Sequence, residues 1–202
     1  ASSGVLPVAT STAFTVSAGP AAALAVTTQP SDVVAGVAMS PAVQIKVVDA
    51  FGNGVAGASV ALALVGTGSL TGGGAVLSDG SGTATFAGLS VNLSGSKQLS
   101  ASSGALTPAT SGSFTVSAAG AAALTFATQP ANVVAGVTMS PGPQVKVTDA
   151  FGNVVAGTNV TLALVGTGTL TGGGAIASDA AGLASFAALS VNLAGSKQRS
   201  AS

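Results

Sequence analysis

Between Val43 and Val48 apolar and polar side chains take turns: Val43, Ile45 and Val47 on one side, Gln44, Lys46 and Val48 on the other. The same alternation recurs in Val60, Leu62 and Leu64 against Ala61 and Ala63, in Ala84 and Phe86 against Thr83 and Thr85, and in Phe114 and Val116 against Thr115 and Ser117. A period of two gives half-buried strands, with one row of side chains on a core and the other on solvent or a partner. Turn residues separate the runs at Gln29-Pro30, Ser40-Pro41, Phe51-Gly52-Asn53, Gly72-Gly73-Gly74, Asp79-Gly80-Ser81-Gly82 and Gly95-Ser96. Seven or eight short strands per hundred residues at this spacing predict a two-sheet β-sandwich with essentially no α-helix. The expected core comprises Val33, Val37, Val43, Ile45, Val47, Val60, Leu62, Leu64, Phe86, Leu93, Phe114 and Val116, with the residues one hundred positions on.

That spacing of one hundred is itself a feature of the chain. Residue i aligns with residue i+100 without a gap over 102 positions, and roughly seven in ten are identical. The period is too long for a solenoid unit and suits a whole small domain, so the fold expected is all-β, a tandem array of sandwich domains. The reading divides the chain into three parts. Residues 1–19 carry the closing strand of a preceding repeat, 20–119 form a complete sandwich, and 120–202 form a sandwich lacking its last strand. The missing counterpart of "SGSFTVSA" (Ser111–Ala118) stands at the other end of the chain, where Ser11-Thr12-Ala13-Phe14-Thr15-Val16 nearly repeats it. Residues 1–18 are therefore expected to pack inside neither domain of their own chain. They are expected to complete the second domain of a neighbouring copy, with Phe14 where Phe114 sits in the first, either because the chain is a window on a continuous array or because separate chains exchange strands. The opening Ala1-Ser2-Ser3-Gly4 falls mid-pattern, as in an excerpt or a mature fragment.

Composition narrows the function. Charged residues are 5% of the chain, against roughly 25% in ordinary soluble domains. There is no Cys, His, Trp, Tyr or Glu, and the net charge is zero. No electrostatic footprint points to nucleic acid or an anionic membrane. Gly, Ser, Thr and Pro interrupt every apolar run before the length a membrane span needs. No basic start followed by an apolar core marks a signal peptide.

The motif "VVDAFGNGVAG" (Val47–Gly57) returns as "KVTDAFGNVVAG" (Lys146–Gly157). It lies between two predicted strands, and Gly52 and Asn53 can take positive φ at low cost. The Asp49 carboxylate can accept a backbone N–H and close the turn. Phe51 is expected to plug the end of the sandwich. Together with "SDGSGTATFAGLSV" and "SASSGALTPATSGSFTVSA", this stretch resembles the bacterial immunoglobulin-like repeats of large surface proteins related to invasin and intimin stalks. The resemblance covers both periods through its turns and its closing Phe-x-Val strand. It implies an immunoglobulin-like sandwich on the cell surface, extracellular, in a stalk or adhesin. One departure is Arg199, which stands where the first period has Leu99. If that strand points Leu99 inward, Arg199 is a buried charge.

Calcium at Asp49, Asn53 or Asp79 needs about six to eight oxygen ligands. Only two acids recur per period (Asp49 with Asp79, Asp149 with Asp179), and Asp32 becomes Asn132. Turn capping accounts for them. "GTGSLTGGG" lacks the Lys of a phosphate loop and the helix of a dinucleotide site, and reads as a loop or glycine-rich edge. Acid–base catalysis has almost no material, and no Ser has a base to activate it. Without Trp or Tyr there is no stacking platform for a sugar or peptide. Asn92-Leu93-Ser94 and Asn159-Val160-Thr161 fit the glycosylation pattern at inequivalent positions. Ice or mineral binding through Thr67, Thr169 and Thr171 would need a flat threonine array, and these fall in a glycine-rich loop. The expectation is therefore no enzyme, no catalytic, cofactor or metal site, no small-molecule substrate, no nucleic acid and no membrane insertion.

Small outward side chains on a surface this poor in charge suit packing against copies of the chain. The first reading is a structural extracellular repeat that self-associates into a fibre, sheath or surface layer. The alternative is the passive stalk of a bacterial surface adhesin.

Overall fold

The computed structural model describes residues 8–202, and all of them lie in strands, turns or irregular segments. Up to residue 117 the strands are β1 (Ala23–Thr28), β2 (Val33–Val34), β3 (Val43–Val48), β4 (Ser59–Val65), β5 (Leu70–Thr71), β6 (Val76–Leu77), β7 (Thr83–Phe86), β8 (Ser90–Val91), β9 (Gly95–Ser102), β10 (Ala109–Thr110) and β11 (Phe114–Ser117). They build an immunoglobulin-like β-sandwich. One sheet has the order β1-β3-β7, the other β2-β11-β9-β4-β6 with β10 on β9, and β5 pairs with β8. The period-two reading sets the register. Val43, Ile45 and Val47 are fully buried and alternate with half-buried neighbours, while Val43 lies opposite Phe86 and Ile45 opposite Ala84. From the facing sheet Val60, Leu62, Leu99, Ala101, Phe114 and Val116 enter the same core.

The second half repeats the plan with β12 (Ala123–Thr128), β13 (Gln144–Thr148), β14 (Asn159–Val160), β15 (Leu162–Val165), β16 (Leu170–Thr171), β17 (Ile176–Ala177), β18 (Leu183–Ser185), β19 (Ser190–Val191) and β20 (Gln198–Ala201). Its core holds Val145, Val147, Val160, Leu162, Phe186, Leu189 and Val191. Where Val43 opens β3, Pro143 stands, and β13 begins one residue later because proline has no N–H to give the ladder.

Three further differences share one cause. In the first half β11 lies between β9, antiparallel, and β2, parallel. Among the described residues nothing occupies that slot in the second half. Residues 133–134 accordingly form no strand, and β20 has four residues where β9 has eight. Ala35 is buried, whereas Ala135 is exposed. An unpaired strand edge loses its ladder bonds, and the chain there relaxes.

The core differs from the sequence reading at two points. Val37 and Val137 lie about half exposed, Leu93 is only partly buried, and Leu193 is exposed. Val37 sits in a turn where the Val37 N–H donates to the Val34 carbonyl, which swings its side chain off the core. Ala35, Met39, Leu89, Val91 and Leu99 occupy the interior instead. Phe51 plugs nothing: its ring is 89% exposed.

Candidate functional site at the junction of the two halves

The repeated Asp-Ala-Phe-Gly-Asn loop is where the two halves meet. Its local geometry comes from the aspartate. Asp49 Oδ1 accepts the N–H groups of Phe51 and Asn53, each at 2.9 Å, and Oδ2 accepts the Asn53 side-chain amide at 3.0 Å. Gly52 takes φ +85°, open to glycine without strain, and its N–H donates to the Asp49 carbonyl. This is the turn role expected of Asp49. Asp149 repeats it with Phe151, Asn153 and Gly152.

The carboxylate also reaches outside its loop. Asp49 Oδ2 accepts the Gly19 N–H at 2.8 Å, and Asp149 Oδ2 accepts the Ala119 N–H at 2.9 Å. Each aspartate thus clamps the segment leading into its own sandwich. The Asn53 amide and the Gly19 N–H, helped by the N–H groups of Asn53 and Phe51, hold the Asp49 carboxyl at about 2. Burial opposes ionisation of Asp149 most strongly, yet the Asn153 amide and the Ala119 N–H still keep it below its ordinary value.

The second copy of the loop makes contacts that the first does not. Asn153 Nδ2 donates to the Asn92 carbonyl at 2.9 Å, and the Ser94 N–H donates to Asn153 Oδ1 at 2.9 Å. Both partners belong to the first half. Asn153 is buried, while its counterpart Asn53 is exposed. Phe151 lies over Gly36, whose φ is +76°. A Cβ built on Gly36 would stand 2.4 Å from the Phe151 ring, so only glycine leaves room for it. The ring of Phe151 is 43% exposed, against 89% for Phe51. The outward Phe151 is therefore a docking group, packed on Gly36 of the first half, while no described residue covers Phe51 in the same way.

The remaining candidates have structural places. Asp79 Oδ1 caps its turn by accepting the N–H groups of Ser81 and Thr83, and Asp179 does the same for Ala181 and Leu183. Asp32 accepts the Thr115 N–H at 2.6 Å and so pins β11. No three acids gather among the described residues. The Gly-rich stretch lies against the core strands: the Leu62 N–H donates to the Gly73 carbonyl, and a Cβ on Gly73 would meet the Leu62 carbonyl oxygen at 2.4 Å. Gly72 and Gly73 serve close backbone approach, to Gly88 and Leu62. Asn92 Oδ1 accepts the Ser69 N–H at 2.7 Å, which commits that side chain to its loop. Arg199 pairs across from Leu164 as Leu99 does from Leu64. Leu99 is buried, and Arg199 is half-buried with Nε unpartnered and its guanidinium pKa lowered by desolvation.

The sequence pointed to the aspartates but missed Asn153, Gly36, Asn92 and Ser94 as one cluster. The signal available was the exact recurrence of Phe-Gly-Asn at 151–153, since a turn alone requires the Gly and Asn but no phenylalanine.

No family model matches the chain, and no curated protein sequence does. Among solved structures it is similar to the D0-D1 domain of intimin, with a TM-score of 0.37, 18% identity and 90% of each chain covered. FdeC, an Escherichia coli adhesin, gives a TM-score of 0.42 and 21% identity over 88% of this chain and 57% of that one. InvD of Yersinia pseudotuberculosis gives 0.37 and 18% over 91% and 53%, so this chain spans just over half the length of these last two. What the chain is similar to, in these comparisons, is the immunoglobulin-like domain of the invasin and intimin type.

Proposed function

We propose that the chain is an extracellular spacer: successive sandwiches held at a fixed angle, forming part of a stalk on a bacterial surface. The observation that carries this reading is the junction itself. Asp149 clamps the connecting segment, Asn153 bonds to Asn92 and Ser94, and Phe151 closes over Gly36. A flexible tether needs none of these, and a segment of only residues 118–122 between β11 and β12 allows little independent motion once clamped. The near absence of charge and of catalytic side chains supports a mechanical role over a chemical one.

The test is orientational. In weakly aligned solution, residual dipolar couplings from the two halves of the unaltered chain should fit one alignment tensor. The double variant Phe151→Ala/Asn153→Ala should give two tensors of unequal size. Separate tensors in the unaltered chain would remove the spacer reading.

A further inference from the structure

Of the six asparagines in the chain, Asn53 alone precedes a glycine; its counterpart Asn153 precedes Val154. The loop fixes both members of the first pair. The Asn53 side-chain amide donates to Asp49 Oδ2, the Asn53 N–H donates to Asp49 Oδ1, and the Asn53 carbonyl accepts the Asp49 N–H. A Cβ on Gly54 would overlap the Ser81 carbonyl, so this backbone path admits only glycine. The N–H groups on either side are engaged, Asn53 with Asp49 and Val55 with the Val47 carbonyl. Among the described residues the Gly54 N–H donates to nothing. A main-chain nitrogen with no bond to give up, and no side chain to crowd it, thus directly follows a primary amide.

We infer that Asn53-Gly54 is a site of self-modification, in which the loop closes to a succinimide and opens to aspartate or isoaspartate. Solvent base takes the Gly54 N–H proton, and the nitrogen attacks Asn53 Cγ. The N–Cγ bond forms, the Cγ–Nδ2 bond breaks, and ammonia leaves with one proton returned from solvent. Water then opens the ring. Cleavage at Cγ gives aspartate; cleavage at the main-chain carbonyl gives isoaspartate, with the backbone rerouted through Cβ. Water is the only co-reactant, and nothing is oxidised or reduced.

The same chemistry is closed to the two nearest alternatives. In the second loop the branched Cβ of Val154, seated beside Gly182, crowds the attacking nitrogen. Asn153 is also held at both ends of its amide, by Ser94 and Asn92. The contrast stands on the residues at 54 and 154, whatever else lies beside either loop. Asp79-Gly80 is the one aspartate–glycine step. The Ser81 hydroxyl, with the Thr83 and Ser81 N–H groups, keeps the Asp79 carboxyl ionised and below its ordinary value, and a carboxylate is a poor electrophile.

Conversion undoes the clamp. An aspartate at 53 replaces the donor on Asp49 Oδ2 with a second negative charge, and like charges in contact repel. An isoaspartate adds a backbone carbon between the two main-chain groups of residue 53 that bond to Asp49, which puts them out of register. Either product weakens the hold of the same Asp49 Oδ2 on the Gly19 N–H and frees the entry to the first sandwich, while the second loop keeps its hold on Ala119. The inference goes beyond the spacer reading and does not depend on a fixed angle between the halves.

The full chain is incubated, folded, at neutral and mildly alkaline pH, then denatured and cut after lysine, which puts the two loops on separate peptides, 47–97 and 147–197. The first should gain the mass of an amide-to-carboxylate exchange, localised to residue 53 by fragmentation, release one ammonia, and accept methyl groups from an isoaspartate-specific methyltransferase. Conversion should be faster at the higher pH. Residue 153 should stay an amide, and Asn53→Gln should leave the first peptide unchanged. In the converted fraction the Gly19 amide should lose its protection from hydrogen exchange while Ala119 keeps it, and Asn53→Asp should show that loss from the start. An Asn53 that converts in the denatured chain but not in the folded one, equal conversion at 53 and 153, or a Gly19 amide still protected after conversion would overturn the inference.

Discussion

Replacing Phe151 with alanine separates docking from turn formation, because Phe51 is the same residue in the same loop, left exposed among the described residues. The two rings differ by nearly half their surface in exposure. A phenylalanine side chain carries roughly 200 Å², so the docked ring removes about 90 Å² more from water. At about 25 cal/mol per Å² this amounts to about 2 kcal/mol. Phe51→Ala should change unfolding free energy by less than about 0.5 kcal/mol, the usual range for an exposed site. Phe151→Ala should lower the stability of the second half by about 2 kcal/mol. With no Trp or Tyr to fluoresce, the assay is urea denaturation followed by far-ultraviolet circular dichroism, with two-dimensional amide spectra assigning the loss to residues 120–202. Equal losses for the two variants would refute docking and return Phe151 to a role inside its own turn.

The matched asparagines should behave in parallel: Asn53→Ala loses one side-chain donor bond and costs about 1 kcal/mol, while Asn153→Ala also frees Asn92 and Ser94 and costs about 1–3 kcal/mol more, read from the same denaturation curves. Arg199→Leu should stabilise the second half by about 1–3 kcal/mol by removing a half-buried guanidinium whose Nε is unpartnered and whose Nη1 has only the Met139 sulfur, and Leu99→Arg should destabilise the first by more than about 3 kcal/mol; a reversal of either sign in calorimetry would contradict the burial argument. Because the folded Asp49 carboxyl lies at about 2, below the unfolded value near 3.9, its contribution is intact above about pH 4 and is lost as pH falls through about 2. A carboxyl-carbon titration of Asp49 with a midpoint near 4, or Phe51 and Asn53 amide shifts that ignore it, would contradict this. Gly73→Ala should cost about 2 kcal/mol despite an ordinary φ, since its Cβ meets main chain at Leu62, and an unchanged melting temperature would show that the loop yields freely.

The sandwich was legible because its strands obey local rules. Period two placed Val43, Ile45, Val47, Val60, Leu62 and Phe86 inward, and aspartate-glycine pairs placed the turns. Val37 and Leu93 were misplaced because they sit in bends where neither period holds, so burial there depends on the direction of a single turn. The junction was half legible. Asp49 and Asp149 announce a turn, but Asn153 finds its partners 59 and 61 residues away, and no spacing rule encodes that distance. Phe51 misled for a simple reason: in a chain with 3% aromatics a lone phenylalanine suggests a core, and only its bare and covered copies together reveal an outward docking ring.

The clamp of Asp149 on Ala119 has a mechanical consequence. Force applied along the chain enters the second sandwich through residues 118–122, between β11 and β12. β11 pairs with β9 over Phe114–Val116 and with β2 over Val116 and Ser117, so tension loads those ladders in shear, with several bonds resisting together. The Ala119–Asp149 bond and the asparagine contacts resist one at a time. They would open first, releasing slack of at most about 17 Å from five residues, while both sandwiches stay folded. Each junction would then act as a shock absorber that re-forms when the load drops. Single-molecule pulling should register this as a small reversible extension at forces below those that unfold a sandwich, and Asp149→Ala should erase it.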